Sequence, residues 1–242
     1  MIFKKAVGAI LLIGFVACKP SKKESAEIED TYENVKIVGA MKNVMWKGEL
    51  AGNIYLDTIS NKSGLYGIGP ESYLKGELLI KDGESFVSRV TSDTTMEVTK
   101  TFAVSAPFFV YAHVNEWEET PLPNNIRTIP ELERFINEST LEAKRPFAFK
   151  LIGKASKATI HVQNLPEGTK VTSPDEAHQG QTDYPIKNEN VEIIGFFSTE
   201  HKGIFTYHDS FLHMHLITKD ETQMGHLDEL EIEDMKLYLP KR

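Results

Sequence analysis

The chain of 242 residues has a single cysteine and two tryptophans, and its Lys and Arg residues never gather into more than short pairs such as Lys22-Lys23. A lone Cys18 excludes an internal disulfide. The missing basic run, together with a formal net charge of −8, removes the electrostatic footprint that a phosphate backbone requires, so no nucleic-acid partner is expected. The one continuous apolar stretch, Ala6 to Val16, is too short to cross a bilayer as a helix. No internal repeat or heptad is evident. What is present is 40% apolar content, enough for a real core in one large domain or two small, tightly joined ones.

Lys4 and Lys5, the apolar stretch and small Ala17 read as an export signal over residues 1–17. Phe15-Val16-Ala17-Cys18 resembles a bacterial lipoprotein processing site, which implies lipidation of Cys18. Residues 18–34 are charged and nearly free of apolar periodicity, as a tether should be. The expected location is the bacterial cell envelope, periplasm-facing, with the lipid as membrane anchor. The acidic body adds no attraction to anionic lipid.

The folded domain is expected over 35–242. Lys81-Asp82-Gly83-Glu84, between two apolar runs, predicts a hairpin turn, and Asn53 to Ile59 alternates as a strand. Residues 101–114 are aromatic and β-branched enough for a buried strand. A helix is predicted from Pro130 to Ala143 with Thr128 as its cap. From Arg145 onward the pattern is all-strand, interrupted by a polar loop from Asn164 to Lys187. The fold class is α+β, with mixed or antiparallel sheets dominating and few helices.

His213, His215 and His226 are the leading candidates for chemistry. In a strand, residues two apart share a face, so His213 and His215 of FLHMHLIT point the same way. The polar turn from Thr218 to Gly225 then lets His226 return on a neighbouring strand. Two satisfied core histidines and one exposed histidine would be the plainer reading. The spacing of the trio instead favours a metal site with an open coordination position, the arrangement of catalytic rather than structural zinc. His201 and His208 are expected on loops or turns.

SFLHMHLITKDETQMGHLDE resembles the metal-binding signature of the acetolactate decarboxylases. GAMKNVMWKGELAGNIYLDTI, GLYGIGPESYLKGELLIKDGESF, PELERFINES and RPFAFKLIG are similar to further segments of that family, in the same order, from Val38 to the end. The resemblance implies that His213, His215 and His226 hold a divalent, zinc-type metal, with Glu77 as an active-site acid. The implied reaction converts 2-acetolactate, or a related 2-hydroxy-3-keto acid, to acetoin and CO2. A Lewis acid suits this chemistry because decarboxylation leaves negative charge on the former carbonyl oxygen.

Three departures accompany the match. Lys150 stands where the family normally carries an active-site arginine, and lacks the planar fork of a guanidinium. Pro70 replaces a threonine, and the family's second glutamate, from a longer C-terminal tail, has no matched position. Glu229, Glu231 and Glu233 follow His226 too closely to take that place. The alternative function is therefore a non-catalytic or repurposed envelope lipoprotein that keeps the metal pocket for a ligand or partner. A different lyase or isomerase reaction on a hydroxy-keto acid is a third possibility, and an oligomer is compatible with each.

Overall fold

The computed structural model describes residues 1–2 and 35–241. Cys18, the tether and nearly all of the expected leader lie outside the described residues. A first layer is a six-stranded antiparallel sheet in the order β1 (Lys36–Val38), β8 (Phe109–His113), β3 (Leu65–Pro70), β4 (Glu77–Lys81), β5 (Glu84–Ser92) and β6 (Thr95–Lys100). β2 (Ile54–Tyr55) and β7 (Ser105–Ala106) form a small separate ladder. The second layer orders β10 (Phe147–Val162), β11 (Thr182–Phe197), β12 (Leu212–Thr218), β13 (Met224–Pro240) and β9 (Trp117–Thr120). β10 also pairs along its length with β13, so β10 to β13 close into a ring.

Among the described residues three α-helices accompany the sheets: α1 (Met41–Lys47), α2 (Ile129–Ser139) and α3 (Pro174–Ala177). The predicted cap of α2 forms a full capping box: Glu131 N–H donates to the Thr128 hydroxyl while the Glu131 carboxylate accepts from Thr128 N–H. Such a cap contributes about 1 kcal/mol. α2 ends at Ser139, before the predicted Ala143, because the Ser139 and Thr140 hydroxyls turn back to the carbonyls of Phe135 and Ile136. The Lys81–Glu84 hairpin is present, with Asp82 at φ 45 and Gly83 at φ 80, the paired positive φ that a two-residue turn of this hand requires.

Two expected strands are broken. Residues 101–114 divide into β7 and β8 around Pro107, and only Ile54–Tyr55 of the Asn53–Ile59 alternation is strand before a 3-10 turn, Leu56–Thr58. The expected loop is also shorter, because α3 forms within it and β11 starts at Thr182. Pro185 is tolerated there because that half of β11 pairs only with β10, leaving its other side free of a ladder.

Two apolar clusters fix the layers. Phe149, Leu151, Ile160, Ile193, Leu216 and Leu237 belong to the cluster of the ring strands themselves. Ile68, Leu79, Phe86 and Val110 of the first layer pack with Ile194, Phe196 and Ile217 of the second. That second cluster is the seam between the sheets.

Candidate metal centre

Strand alternation puts Leu212, Met214 and Leu216 of β12 into the ring cluster and Ile217 into the seam, so His213 and His215 point to the seam as well. His215 lies directly opposite His226 on β13. Their rings are 5.4 Å apart, and each is 5.1 Å from that of His213. The three are buried, and each offers a ring nitrogen within 4.8 Å of the others'. Burial pushes all three imidazoles well below the usual histidine range, His213 to about 3, and so keeps them neutral with lone pairs available.

The donor set fits a divalent metal. Neutral imidazoles suit zinc and its neighbours, and His213 Nδ1 and His215 Nε2 are buried without a hydrogen-bond partner, a costly state that coordination relieves. Sequence reasoning places these residues correctly relative to one another.

Glu77 comes from the other layer. It begins β4, opposite Pro70 of β3, and its Oε2 lies 3.7 Å from His215 Nε2. The carboxyl is 3% exposed and its pKa is raised well above the ordinary value, chiefly by burial, against a hydrogen bond from Gln163 N–H. Burial thus favours the protonated form of this carboxyl. Pro70 lines the same cavity, so the lost hydroxyl noted in the sequence falls at the site itself.

Lys150 does not join them. Its ammonium stands over the rings of Trp117, Tyr238 and Tyr66 at 4.8, 5.4 and 5.8 Å. Lys150 stands in the same lateral row as His215, two strands away through Ile194, but its ammonium turns to these rings and does not line the cavity. The role expected for Lys150 therefore has no geometric support. Glu229, Glu231 and Glu233 are exposed on β13 and do not enter the cavity.

Sequence reasoning missed His161. It pairs with His226 across β10 and β13, and the two rings stack at 4.7 Å, extending the histidine row. Its Nδ1 lies 2.8 Å from Asp228 Oδ2, so Nδ1–H donates to the carboxylate. Asp228 is the extra residue of a β-bulge: Thr159 pairs with Glu229 and Ile160 with Leu227. Bulges of this kind re-aim a side chain beside a site. Gly225 permits the close pairing, since a Cβ there would lie 2.4 Å from the His161 carbonyl oxygen. The signal available in the sequence was one more histidine inside a strand that otherwise reads as core.

Beside the triad is a cavity of about 20 Å³, with Glu77, His161, Gln163 and Tyr207 as its polar walls besides the histidines. Met41, Met45, Leu74 and Phe108 supply apolar walls. The Tyr207 ring meets His226 edge-on at 5.4 Å, and burial raises its phenol pKa, so the hydroxyl stays a donor.

Fold and site together define a two-layer α+β protein with a buried three-histidine centre of metal-binding type and an acid facing it from the opposite sheet. The chain belongs to the alpha-acetolactate decarboxylase family, whose sequence model matches residues 38–241, and which makes it a carboxy-lyase family member. It is 25% identical over 232 residues to an alpha-acetolactate decarboxylase of Brevibacillus brevis, covering 93% of this chain and 77% of that protein. An alpha-acetolactate decarboxylase of Lactococcus lactis subsp. cremoris is 28% identical over 195 residues, covering 77% of this chain and 78% of its own length. The fold is shared with the crystal structure of alpha-acetolactate decarboxylase from Bacillus subtilis strain 168, at a TM-score of 0.69 and 23% identity over 86% of each chain.

Proposed function

We propose that this protein decarboxylates 2-acetolactate, or a closely related 2-hydroxy-3-keto acid, to acetoin and CO2, with a divalent metal of the zinc type held by His213, His215 and His226. The observation that carries the proposal is the convergence of three buried, neutral imidazoles with Glu77 in a member of this family. When bound, the metal supplies Lewis acidity for the charge that develops as CO2 leaves.

The chain's own residues account for the remaining requirements. In the reaction the bond to the carboxylate carbon breaks and its electron pair moves towards the former ketone oxygen. A proton is then added to carbon. Glu77, whose burial favours the protonated form and whose Oε2 faces the triad, supplies it in this reading. His161, oriented by Asp228, and the Tyr207 phenol present polar groups on the other walls. Met41, Met45 and Phe108 exclude water. Lipidation at Cys18 and a periplasm-facing location remain part of this reading and rest on the N-terminal sequence pattern.

One observation favours the second reading, a binding protein without turnover. The cavity has room for little more than one water, well short of the roughly 300 Å³ of ordinary ligand pockets. Two measurements on the purified chain separate the readings: metal content by elemental analysis, and acetoin formation from 2-acetolactate above the spontaneous rate. About one metal per chain with acetoin supports the enzyme. Metal without acetoin supports the binding protein, and absence of metal rejects both.

A further inference from the structure

Gln163 directly follows the last residue of β10 and is 3% exposed. It lines the histidine cavity together with Glu77, His161 and Tyr207. Its main-chain N–H donates to the Glu77 carboxyl across the seam. Its side-chain amide is held by two acceptors at once.

The first acceptor is set from outside the site. Gln181 Nε2 donates to the exposed Asp183 carboxylate at 3.0 Å, and a carboxylate can only accept, so Gln181 Oε1 is the end turned inward. That oxygen accepts from Gln163 Nε2 at 3.3 Å. The second acceptor is His161. Its Nδ1–H is committed to Asp228, which leaves a lone pair on Nε2, and Nε2 lies 3.5 Å from the same Gln163 nitrogen. A flipped amide would set its oxygen against both acceptors, so the nitrogen stays on that side. Gln163 Oε1 is then left buried with no hydrogen-bond partner among the described residues. Of the residues lining the cavity, only Gln163 and the ligand His213 carry such an orphaned atom. A buried acceptor in this state is costly until a donor reaches it.

We propose that Gln163 Oε1 accepts the hydroxyl of a bound 2-hydroxy acid, and that it selects such ligands over acids that lack the hydroxyl. The ligand class rests on the function proposed above, whereas the orientation of the acceptor does not. Size and polarity both match. A space of about 20 Å³ takes one oxygen-sized group. A hydroxyl brings the O–H that the amide oxygen needs, and keeps its lone pairs for an ion on the histidines. A ketone or carboxylate oxygen in the same place brings lone pairs alone and is repelled by the amide oxygen. A ligand without the hydroxyl leaves the acceptor unpaired, which is how a polar site rejects a smaller analogue.

The test compares two acids of one carbon skeleton, 2-hydroxy-2-methylpropanoate and 2-methylpropanoate, by isothermal titration calorimetry on the purified full chain. Metal content is measured in every preparation, so that variants are compared at equal occupancy. The wild type is expected to bind the hydroxy acid tighter by about tenfold or more. Gln163→Met keeps the length of the side chain and removes the acceptor. The ratio of the two affinities should then fall by about fivefold, through weaker binding of the hydroxy acid alone. Gln181→Met frees the Gln163 amide to turn and should lower the ratio by a smaller factor. If Gln163→Met loses the fold, Gln163→Asn, which withdraws the oxygen by one methylene, should lower the ratio in the same direction. A ratio that survives the Gln163 substitutions, or a wild type that binds the two acids equally or binds neither, overturns the assignment. So does a loss that strikes both acids alike, the mark of a merely structural role. Acetoin formation is scored separately: a chain that selects the hydroxy acid without turnover defeats the decarboxylase and leaves Gln163 in its role.

Discussion

His161 Nδ1 and Asp228 Oδ2 stand 2.8 Å apart, and the ring so fixed stacks on His226, one of the three candidate ligands. The carboxylate decides which nitrogen of His161 carries the proton, and so holds Nε2 free on the side of Gln163, whose amide lies 3.5 Å away. Replacing Asp228 by Asn removes the charge that fixes this orientation and leaves a ring that can turn against His226. The expected result is metal affinity lower by about tenfold in competition with a chromogenic chelator. Affinity equal to wild type would show that the pair is decoration.

Glu77→Gln keeps the shape of the acid and removes its exchangeable proton. Metal content should be retained, since the ligands are untouched. Acetoin formation should fall by about 10² to 10⁴, the usual contribution of a placed proton donor. Retention of more than about half the wild-type rate would transfer the role to another group.

Lys150 is expected to act on stability alone. Lys150→Met leaves the aromatic rings in place but removes the cation between Trp117 and Tyr238, at a cost of about 0.5–2 kcal/mol in urea unfolding. Metal content and any acetoin activity should be unchanged. A change in catalysis with unaltered stability would restore the active-site role that the sequence comparison implied.

His178 gives a pH dependence whose sign is fixed. Its Nε2 is buried without a hydrogen-bond partner, and its pKa is lowered, first by burial and then by the nearby His161. The unfolded chain therefore takes up this proton more readily than the folded chain. Stability on this account falls as pH drops through about 6.5 towards the lower folded value. The urea midpoint should decline between pH 7.5 and pH 5, and His178→Gln should make the decline shallower. An unchanged slope in the variant would assign the effect to the triad.

Much of the site was legible because strand geometry is local. The alternation in FLHMHLIT and a polar turn suffice to bring His213, His215 and His226 together, and Asp82-Gly83 dictates its own turn. The surroundings of Lys150 were not legible, because the rings that hold its ammonium, Tyr66, Trp117 and Tyr238, come from three strands far apart in the chain. His161 and Asp228 were hidden for a related reason. A bulge at one residue of β13 changes what its neighbours face, and neither composition nor spacing marks where a ladder will slip. The break at Pro107 could have been anticipated, since proline removes the N–H that a continuous strand would use.

The histidines belong to one sheet and Glu77 to the other, meeting at the seam where Ile68, Leu79 and Phe86 lie against Ile194, Phe196 and Ile217. All three ligands stand on one sheet, and the other sheet covers them, so an ion held there stabilises the folded chain over the unfolded one. At a metal concentration a thousand times the dissociation constant, the linkage is worth about 4 kcal/mol. Removal of the ion should consequently lower the temperature at which the chain unfolds, with the first sheet acting as the cover that keeps the centre out of water.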